Sequence, residues 1–407
     1  MTAGIADAED SLRELEELTT SAGAWVVGTA LQRSPEPDPA TLLGHGKVNE
    51  VRGEARAAGA DLVVFDHDLT PTQLRNLEKS LDLKVLDRTQ LILDIFARRA
   101  RSREGQLQVE LAQLNYLLPR LSGHGTVLSR LGGGIGTRGP GEQKLEMDRR
   151  RIRRRIRNLQ EGIERVRSQR ALHRAHRRDR NLYIVALVGY TNAGKSTLFN
   201  ALTSARVVTS ARLFATLDPT VRAMPLDAHR TALLSDTVGF IRKLPPHLVA
   251  AFRATLEELE EARLLLHVTD ASDPHHAGQD AAVETLLENL GVASTPRLHV
   301  WNKLDLVTPA ERRKLGATEH SVSVSARTGD GLEKLRQEIS RRLSADPVVE
   351  ADFELASSDG RQLAMLHRAG TVVSTHYSAG KLFVRARVPE SVREMLKSGA
   401  EDAPANR

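Results

Sequence analysis

The chain has 407 residues, a net charge of +6 and a pI near 9.7, a length that suggests two to four domains and a basic balance that points to a polyanionic partner. The absence of cysteine excludes disulfides and thiolate metal sites and fits a reducing cytoplasm. No stretch reaches the eighteen or so apolar residues of a membrane span, and acidic Met1–Glu17 has no apolar run of the signal-peptide kind. The expected location is the cytoplasm, with peripheral membrane association as the alternative.

Residues 1–22 are expected to be disordered or helical, and 23–104 to form a small α/β domain. Ala24–Leu31, Asp61–Phe65 and Lys84–Leu86 read as strands, and Lys47–Ala58, Thr70–Ser80 and Gln90–Ala97 as helices. That alternation implies parallel pairing. Thr70 is a plausible N-cap with Pro71 in the first helical position. Gly44-His45-Gly46-Lys47 resembles a phosphate loop but misses the Walker spacing.

A helical hairpin is expected over 105–180. Leu107, Leu111, Leu114, Leu118 and Leu121 form one apolar seam at alternating three- and four-residue spacing. Leu145, Ile152, Ile156, Leu159, Ile163 and Val166 form a second. Both seams can be satisfied within one chain, so a monomer is expected. Arginines crowd the second helix off the seam, from Arg149 to Arg157 and from Arg165 to Arg180. A charge run is commonly a solvated face. With few acids to balance them, these side chains suit a phosphate backbone, RNA ahead of DNA or acidic protein. Arg150, Arg154 and Arg157 are candidate RNA contacts, as are Arg130 and Arg138 in the glycine-rich tip, residues 123–141. A helix–helix turn needs no loop of that length. Gly132-Gly133-Gly134-Ile135-Gly136 is no dinucleotide fingerprint, because no strand precedes it.

A nucleotide domain is expected over 181–347. Gly189-Tyr190-Thr191-Asn192-Ala193-Gly194-Lys195-Ser196-Thr197 lies between a strand-like and a helix-like segment, the context of a P-loop. Glycines let backbone N–H groups converge on phosphate oxygens. Lys195 would reach the β- and γ-phosphates and Ser196 would ligate Mg²⁺. Phe214-Ala215-Thr216 offers a second hydroxyl for Mg²⁺ at Thr216. Asp236-Thr237-Val238-Gly239 supplies a metal-positioning Asp236 and a Gly239 N–H for the γ-phosphate. Lys195, Thr216, Asp236 and Gly239 are thus the candidate catalytic set. Asn302-Lys303-Leu304-Asp305 follows a strand, and a buried Asp305 carboxylate would accept from the N1–H and N2–H₂ edge of guanine, which adenine lacks. Ser325-Ala326 completes the base pocket through its backbone. Phe240 stands where many small GTPases carry a water-orienting Gln, so intrinsic hydrolysis should be slow. The adjacent His275 and His276 lack a third ligand, and His267 reads as structural.

A C-terminal α+β domain is expected over 348–397, as strand–helix–strand–strand–helix, with a disordered tail at 398–407. The whole is α/β: a P-loop GTPase domain with a mixed, mostly parallel sheet and helices on both faces, plus the N-terminal α/β domain, the long hairpin and the C-terminal unit.

Three stretches resemble the HflX ribosome-associated GTPases of the Obg–HflX group. They are Gly44–Lys47 with Thr70-Pro71-Thr72-Gln73-Leu74-Arg75-Asn76-Leu77-Glu78, the run from Leu86-Asp87-Arg88-Thr89-Gln90 to Arg138-Gly139-Pro140-Gly141-Glu142, and Asp236–Pro245. The resemblance spans about Ala24 to Val388. It implies binding to the large ribosomal subunit and its RNA, with the hairpin reaching toward the peptidyl-transferase centre. It further implies nucleotide-dependent splitting or rescue of stalled or idle ribosomes, hydrolysis stimulated by the ribosome, and in some relatives ATP binding at the N-terminal domain. The alternatives from the residues themselves are a ribosome-assembly or RNA-modification GTPase, and an RNA-binding protein indifferent to nucleotide.

Overall fold

The computed structural model describes residues 5–32, 36–121, 140–179, 183–203, 213–214, 216–226, 231–243, 259–315, 320–344, 348–356, 360–378, 381–390, 392–393 and 396. It divides into two compact units. The first is the chain up to Arg167 together with the described residues at 213–218 and 238–243, and the second is the remainder.

In the first unit, α1 (Ile5–Ser21) is helical and buries Leu15 and Leu18. Then come α2 (His45–Ala57), β1 (Leu62–Phe65), α3 (Pro71–Leu81), β2 (Lys84–Asp87) and α4 (Arg88–Arg99). Thr70 caps α3 in a reciprocal box with Gln73, and Pro71 follows at the first position, as its sequence suggests. Strands β1 and β2 pair in parallel, and Val48, Phe65, Leu69, Leu77, Leu81 and Val85 fill the core beneath them.

The strand expected at Ala24–Leu31 does not form. This stretch carries no regular structure, and Trp25 is 92% exposed. Its apolar and β-branched residues supply strand propensity, but a strand exists only with a ladder partner, and among the described residues β1 pairs with β2 alone.

The hairpin stem is α5 (Arg103–Arg120) and α6 (Pro140–Asp179). The α6 seam is where that helix is least exposed, with Leu159 buried and Ile152, Ile156, Ile163 and Val166 half-buried between exposed arginines. Leu107 of α5 meets Gly162 of α6, and Arg155 grips Glu110 through two hydrogen bonds of 2.6 and 2.7 Å. Helix α5 has a second buried face, through Gln108, Val109, Ala112 and Tyr116. The tip with Arg130 and Arg138 lies outside the described residues.

The second unit is built on a six-stranded sheet. Its strands are β3 (Ile184–Val188), β4 (Thr220–Pro225), β5 (Thr231–Asp236), β6 (Leu264–Asp270), β7 (Arg297–Asn302) and β8 (Ser321–Ser323). They lie in the order β4-β5-β3-β6-β7-β8, with only β4 antiparallel. Strand β4 went unread in the sequence, because its short run alternates weakly and ends in Pro225 at the sheet edge. Side chains alternate across a strand. Leu264, Leu266 and Val268 therefore join a core with Leu198, Phe199 and Leu202 of α7 (Lys195–Thr203) and Leu335 and Ile339 of α10 (Leu332–Ser344). His267 and Thr269 face the opposite side, where α8 (His276–Asn289) presents Asp280 to both. A short helix, α9 (Pro309–Lys314), precedes β8.

The C-terminal strands β9 (Val348–Ala356), β10 (Thr371–Ser378) and β11 (Lys381–Pro389) form an antiparallel sheet in the order β10-β11-β9. Helix α11 (Gly360–Ala369) packs through Leu366 into a separate core. Of the last expected helix, Glu390, Val392, Arg393 and Leu396 are described, and all are helical. The tail at 398–407 lies outside the described residues.

Candidate nucleotide site

In the second unit, β3 is buried at every position and delivers the chain into a loop that only glycine can make at two points. Gly189 has φ 148° and Gly194 φ 89°. A Cβ on the first would collide with Val268 O, and on the second with Asn302 Nδ2. Asn192 also lies in the left-handed region, at φ 62°. Lys195, at the start of α7, folds back so that Nζ donates to Gly189 O at 2.9 Å and Tyr190 O at 2.7 Å. Burial lowers its pKa to about 8, against the opposing pull of Asp236. An ammonium held on two loop carbonyls at 6% exposure is poised to exchange them for anionic oxygens, which it would hold more strongly.

Ser196 Oγ donates to Asp236 Oδ2 at 2.7 Å, across the sheet from the end of β5. Thr237 Oγ1 donates to Leu187 O at 2.6 Å and ties the start of the Asp236–Gly239 segment to β3. A hydroxyl and a carboxylate side by side are hard oxygen donors of the kind Mg²⁺ takes. The residues present therefore fit that ion. No group of three or more His, Asp or Glu able to hold a metal occurs among the described residues.

The base-side loops are tied to the phosphate loop by one buried amide. Asn302 Nδ2 donates to Ala193 O at 2.9 Å, while its Oδ1 accepts from Ala326 N at 3.0 Å. Lys303 is left-handed at φ 64° and pairs with Asp270 at 2.6 Å. Ser325 Oγ donates to Asp305 Oδ1 at 2.7 Å and accepts from Thr328 N at 3.1 Å. Asp305 is exposed rather than buried, because the 3₁₀ turn Leu304–Leu306 carries it to the surface. Tyr190, Thr191 and Ala193 are buried, and Thr197 continues into α7.

The other candidate residues fall in the first unit. Phe214 and Thr216 are buried there, with Phe214 edge-on to Phe96 of α4 at 4.7 Å, while Ala215 is outside the described residues. Val238 and Phe240 are buried and Gly239 is half-buried. Residues given no role in the sequence analysis hold these segments: Ser102, Asp66 and Arg88 on the N-terminal side, and Asp218, Arg242 and Lys243 beside the segments themselves. Their signal was present, since Arg88 and Arg242–Lys243 fall within the stretches that carry the family resemblance, but the partners are far apart in sequence.

The histidines take structural places. His267 stacks on His299 at 5.0 Å, and His276 meets Trp301 edge-on. His275 precedes α8 in the N-cap position. Arg150, Arg154 and Arg157 are exposed along α6, and Arg150 is paired with Glu146.

Comparison with known proteins decides the family. The profile described as GTP-binding GTPase N-terminal matches residues 9–97, GTP-binding GTPase Middle Region matches 99–177, and 50S ribosome-binding GTPase matches 184–303. A GTPase HflX of Caldanaerobacter subterraneus is 46% identical over 392 residues, 96% of this chain and 90% of that protein. The chain belongs to the HflX family of GTPases. The Escherichia coli HflX is 48% identical over 358 residues, 87% of this chain and 84% of that one. A GTP-binding protein of Sulfolobus solfataricus, solved with GDP, is 24% identical, with a TM-score of 0.44 over 83% of this chain and 96% of that one. As an HflX-family GTPase the chain is a GTP hydrolase with a P-loop fold. No helix among the described residues is long and apolar enough to cross a membrane.

Proposed function

We propose that this GTPase binds the large ribosomal subunit through its RNA and, in the GTP state, splits or rescues stalled or idle ribosomes in the cytoplasm, acting as a monomer. The observation that carries the reading is the exposed arginine face of α6, standing off a seam that its own hairpin satisfies. Guanidinium groups on a stiff helix suit an RNA backbone, and the 50S ribosome-binding description of the matching profile agrees. Arg155, bidentate to Glu110, serves the stem, which leaves Arg154 and Arg157 as stronger RNA candidates. Arg130 and Arg138 would contact RNA from the tip. The domain limits given above from the sequence belong to the same reading.

Each site residue then has a role. Lys195 exchanges its two carbonyls for the β- and γ-phosphates, and the amides of Asn192 to Thr197 line the phosphates. Ser196 and Thr216 would hold Mg²⁺, with Asp236 fixing the Ser196 hydroxyl. That ion supplies neutralisation of the charge building on the phosphate oxygens. Asp305, oriented by Ser325, reads guanine, and Asn302 and Ala326 hold the loops around it. Phe240 cannot hydrogen-bond an attacking water, so the ribosome supplies the missing order.

The test is co-sedimentation with ribosomes in a non-hydrolysable GTP analogue, in GDP and without nucleotide. Retention on the large subunit with the analogue alone, with loss of intact ribosomes, is expected. Equal retention in all three states would reject the switch and leave an RNA-binding protein. Accumulation of immature subunits in cells lacking the protein, with intact ribosomes unaffected, would favour an assembly role.

A further inference from the structure

The first unit contains a cavity that the nucleotide site does not use. It has a volume of about 1180 Å³ and is lined by residues 24–32 on one side and by β1 with its flanking residues on another. Helix α1 contributes Leu12 and Leu15 to the lining, and α2 contributes Val51 and Ala55. The two stretches of chain share a deficiency. Strand β1 pairs with β2 along one edge, and among the described residues nothing pairs with its other edge. Residues 25–31 likewise make no backbone hydrogen bond among the described residues. Parallel sheets are ordinarily built from several strands, because two alone leave much of the ladder unpaired. Trp25, Val26, Val27 and Leu31 also expose their apolar side chains, and a contiguous run of that kind marks an interaction surface.

Charge narrows what the cavity takes. Glu14 and Asp66 are used within the unit, since both pair with Arg88, and Asp66 also holds Lys243 at 2.6 Å. Burial raises the Asp66 carboxyl, but Arg88 and Lys243 outweigh it and hold the group below its ordinary value. Lys243 is thus committed, and among the described lining residues it is the only lysine or arginine. Glu16, Glu54 and Asp61 also line the cavity, and none of them makes an ion pair among the described residues. Unpaired carboxylates without a free cation repel the phosphates of a nucleotide and attract a basic peptide.

We propose that this cavity is a strand-accepting site for another protein, taking an extended segment that is apolar and β-branched in its middle and basic at its ends. The segment adds to the free edge of β1 and bonds to residues 25–31 on its other side. Backbone ladder bonds supply the affinity, and the apolar lining buries alternate side chains. Glu16, Glu54 and Asp61 hold the basic ends. The strand propensity of residues 24–31 then finds its ladder partner. No residue of the hairpin takes part, so the proposal stands whether or not α6 binds ribosomal RNA.

The test uses the full chain and a dye-labelled probe peptide of alternating valine and threonine with lysines at each end. Fluorescence anisotropy reads binding, and amide hydrogen exchange reads whether a ladder forms. The expected result is saturable binding in the micromolar range, with exchange slowed about tenfold at residues 25–31 and 62–65 and unchanged in β3. A peptide with proline at its centre cannot complete the ladder and should bind about tenfold more weakly. Glutamates in place of the lysines should also weaken binding, and Glu54→Lys, at an exposed position, should narrow that difference. Absence of saturable binding, equal binding of the proline peptide, or unchanged exchange in both stretches would overturn the proposal. Displacement of the peptide by ATP would overturn it in favour of a nucleotide site. Dimerisation of the chain alone, with the same two stretches protected, would assign the cavity to a second copy instead.

Discussion

In the phosphate and base loops of the second unit, geometry is imposed by backbone and buried amide. Gly189 and Gly194 leave no room for a side chain, and Asn302 ties Ala193 to Ala326. Around Thr216 and Gly239 in the first unit, geometry is imposed by ions, with Asp218 on a helix N-terminus and Lys243 on Asp66 and Arg88. A backbone cradle gives way only by local unfolding, whereas ion pairs can be exchanged for others at small net cost. Recognition is thus built rigidly, whereas the Thr216 and Gly239 segments are held by contacts that a partner can replace.

The comparison breaks most sharply at Lys195. Lys195→Ala removes the ammonium from a buried anion site, a loss of about 2–5 kcal/mol, or roughly thirtyfold to several thousandfold in GTP affinity by calorimetry. Arg88→Ala leaves Asp66 and Glu14 without their buried partner. It should destabilise the first unit by about 3–5 kcal/mol, read as a shift in its denaturant midpoint, with GDP binding in native buffer retained. Asp305→Asn sets an amide against the guanine donors. It should weaken GTP by about 2–4 kcal/mol and favour a xanthine nucleotide, as competition binding would report.

Acidity sharpens the contrast from two directions. Lys195, lowered to about 8, is charged below that value and neutral above it without nucleotide. Bound phosphate restores the charge, so binding takes up a proton. GTP affinity should therefore fall about tenfold from pH 7 to pH 9, with proton uptake visible by calorimetry in buffers of different ionisation heat. Asp66 behaves oppositely, because its pKa is depressed. The stability it contributes is present above the ordinary carboxylate pKa and is lost as pH falls through its lowered value. Only acid below the ordinary carboxylate pKa should loosen the Lys243 anchorage.

Local rules made one half of this legible in sequence. The cap at Thr70, the Gly189–Thr197 loop between strand and helix, and the α6 seam each depend on neighbours within about a turn of chain, so spacing was enough. Asp218 and Ser102 are 116 residues apart, and Lys243 and Asp66 are 177 apart. No periodicity connects such pairs, and each residue alone looks like an ordinary polar surface residue. Ala24–Leu31 fails for the same reason in reverse, since its apolar run promised a strand whose partner only tertiary structure could provide. Asp305 was expected to be buried, but the turn holding it ends at the surface.

The most direct test of the account is the rate of single-turnover GTP hydrolysis by the full chain, with and without purified large ribosomal subunits, alongside its GDP affinity. Slow hydrolysis alone, a rise of at least tenfold with subunits, and GDP affinity changed by less than about twofold is the expected result, because recognition is already built and only the ordering of the attacking water, which Phe240 cannot supply, is lacking. A rate that large subunits leave unchanged would contradict it.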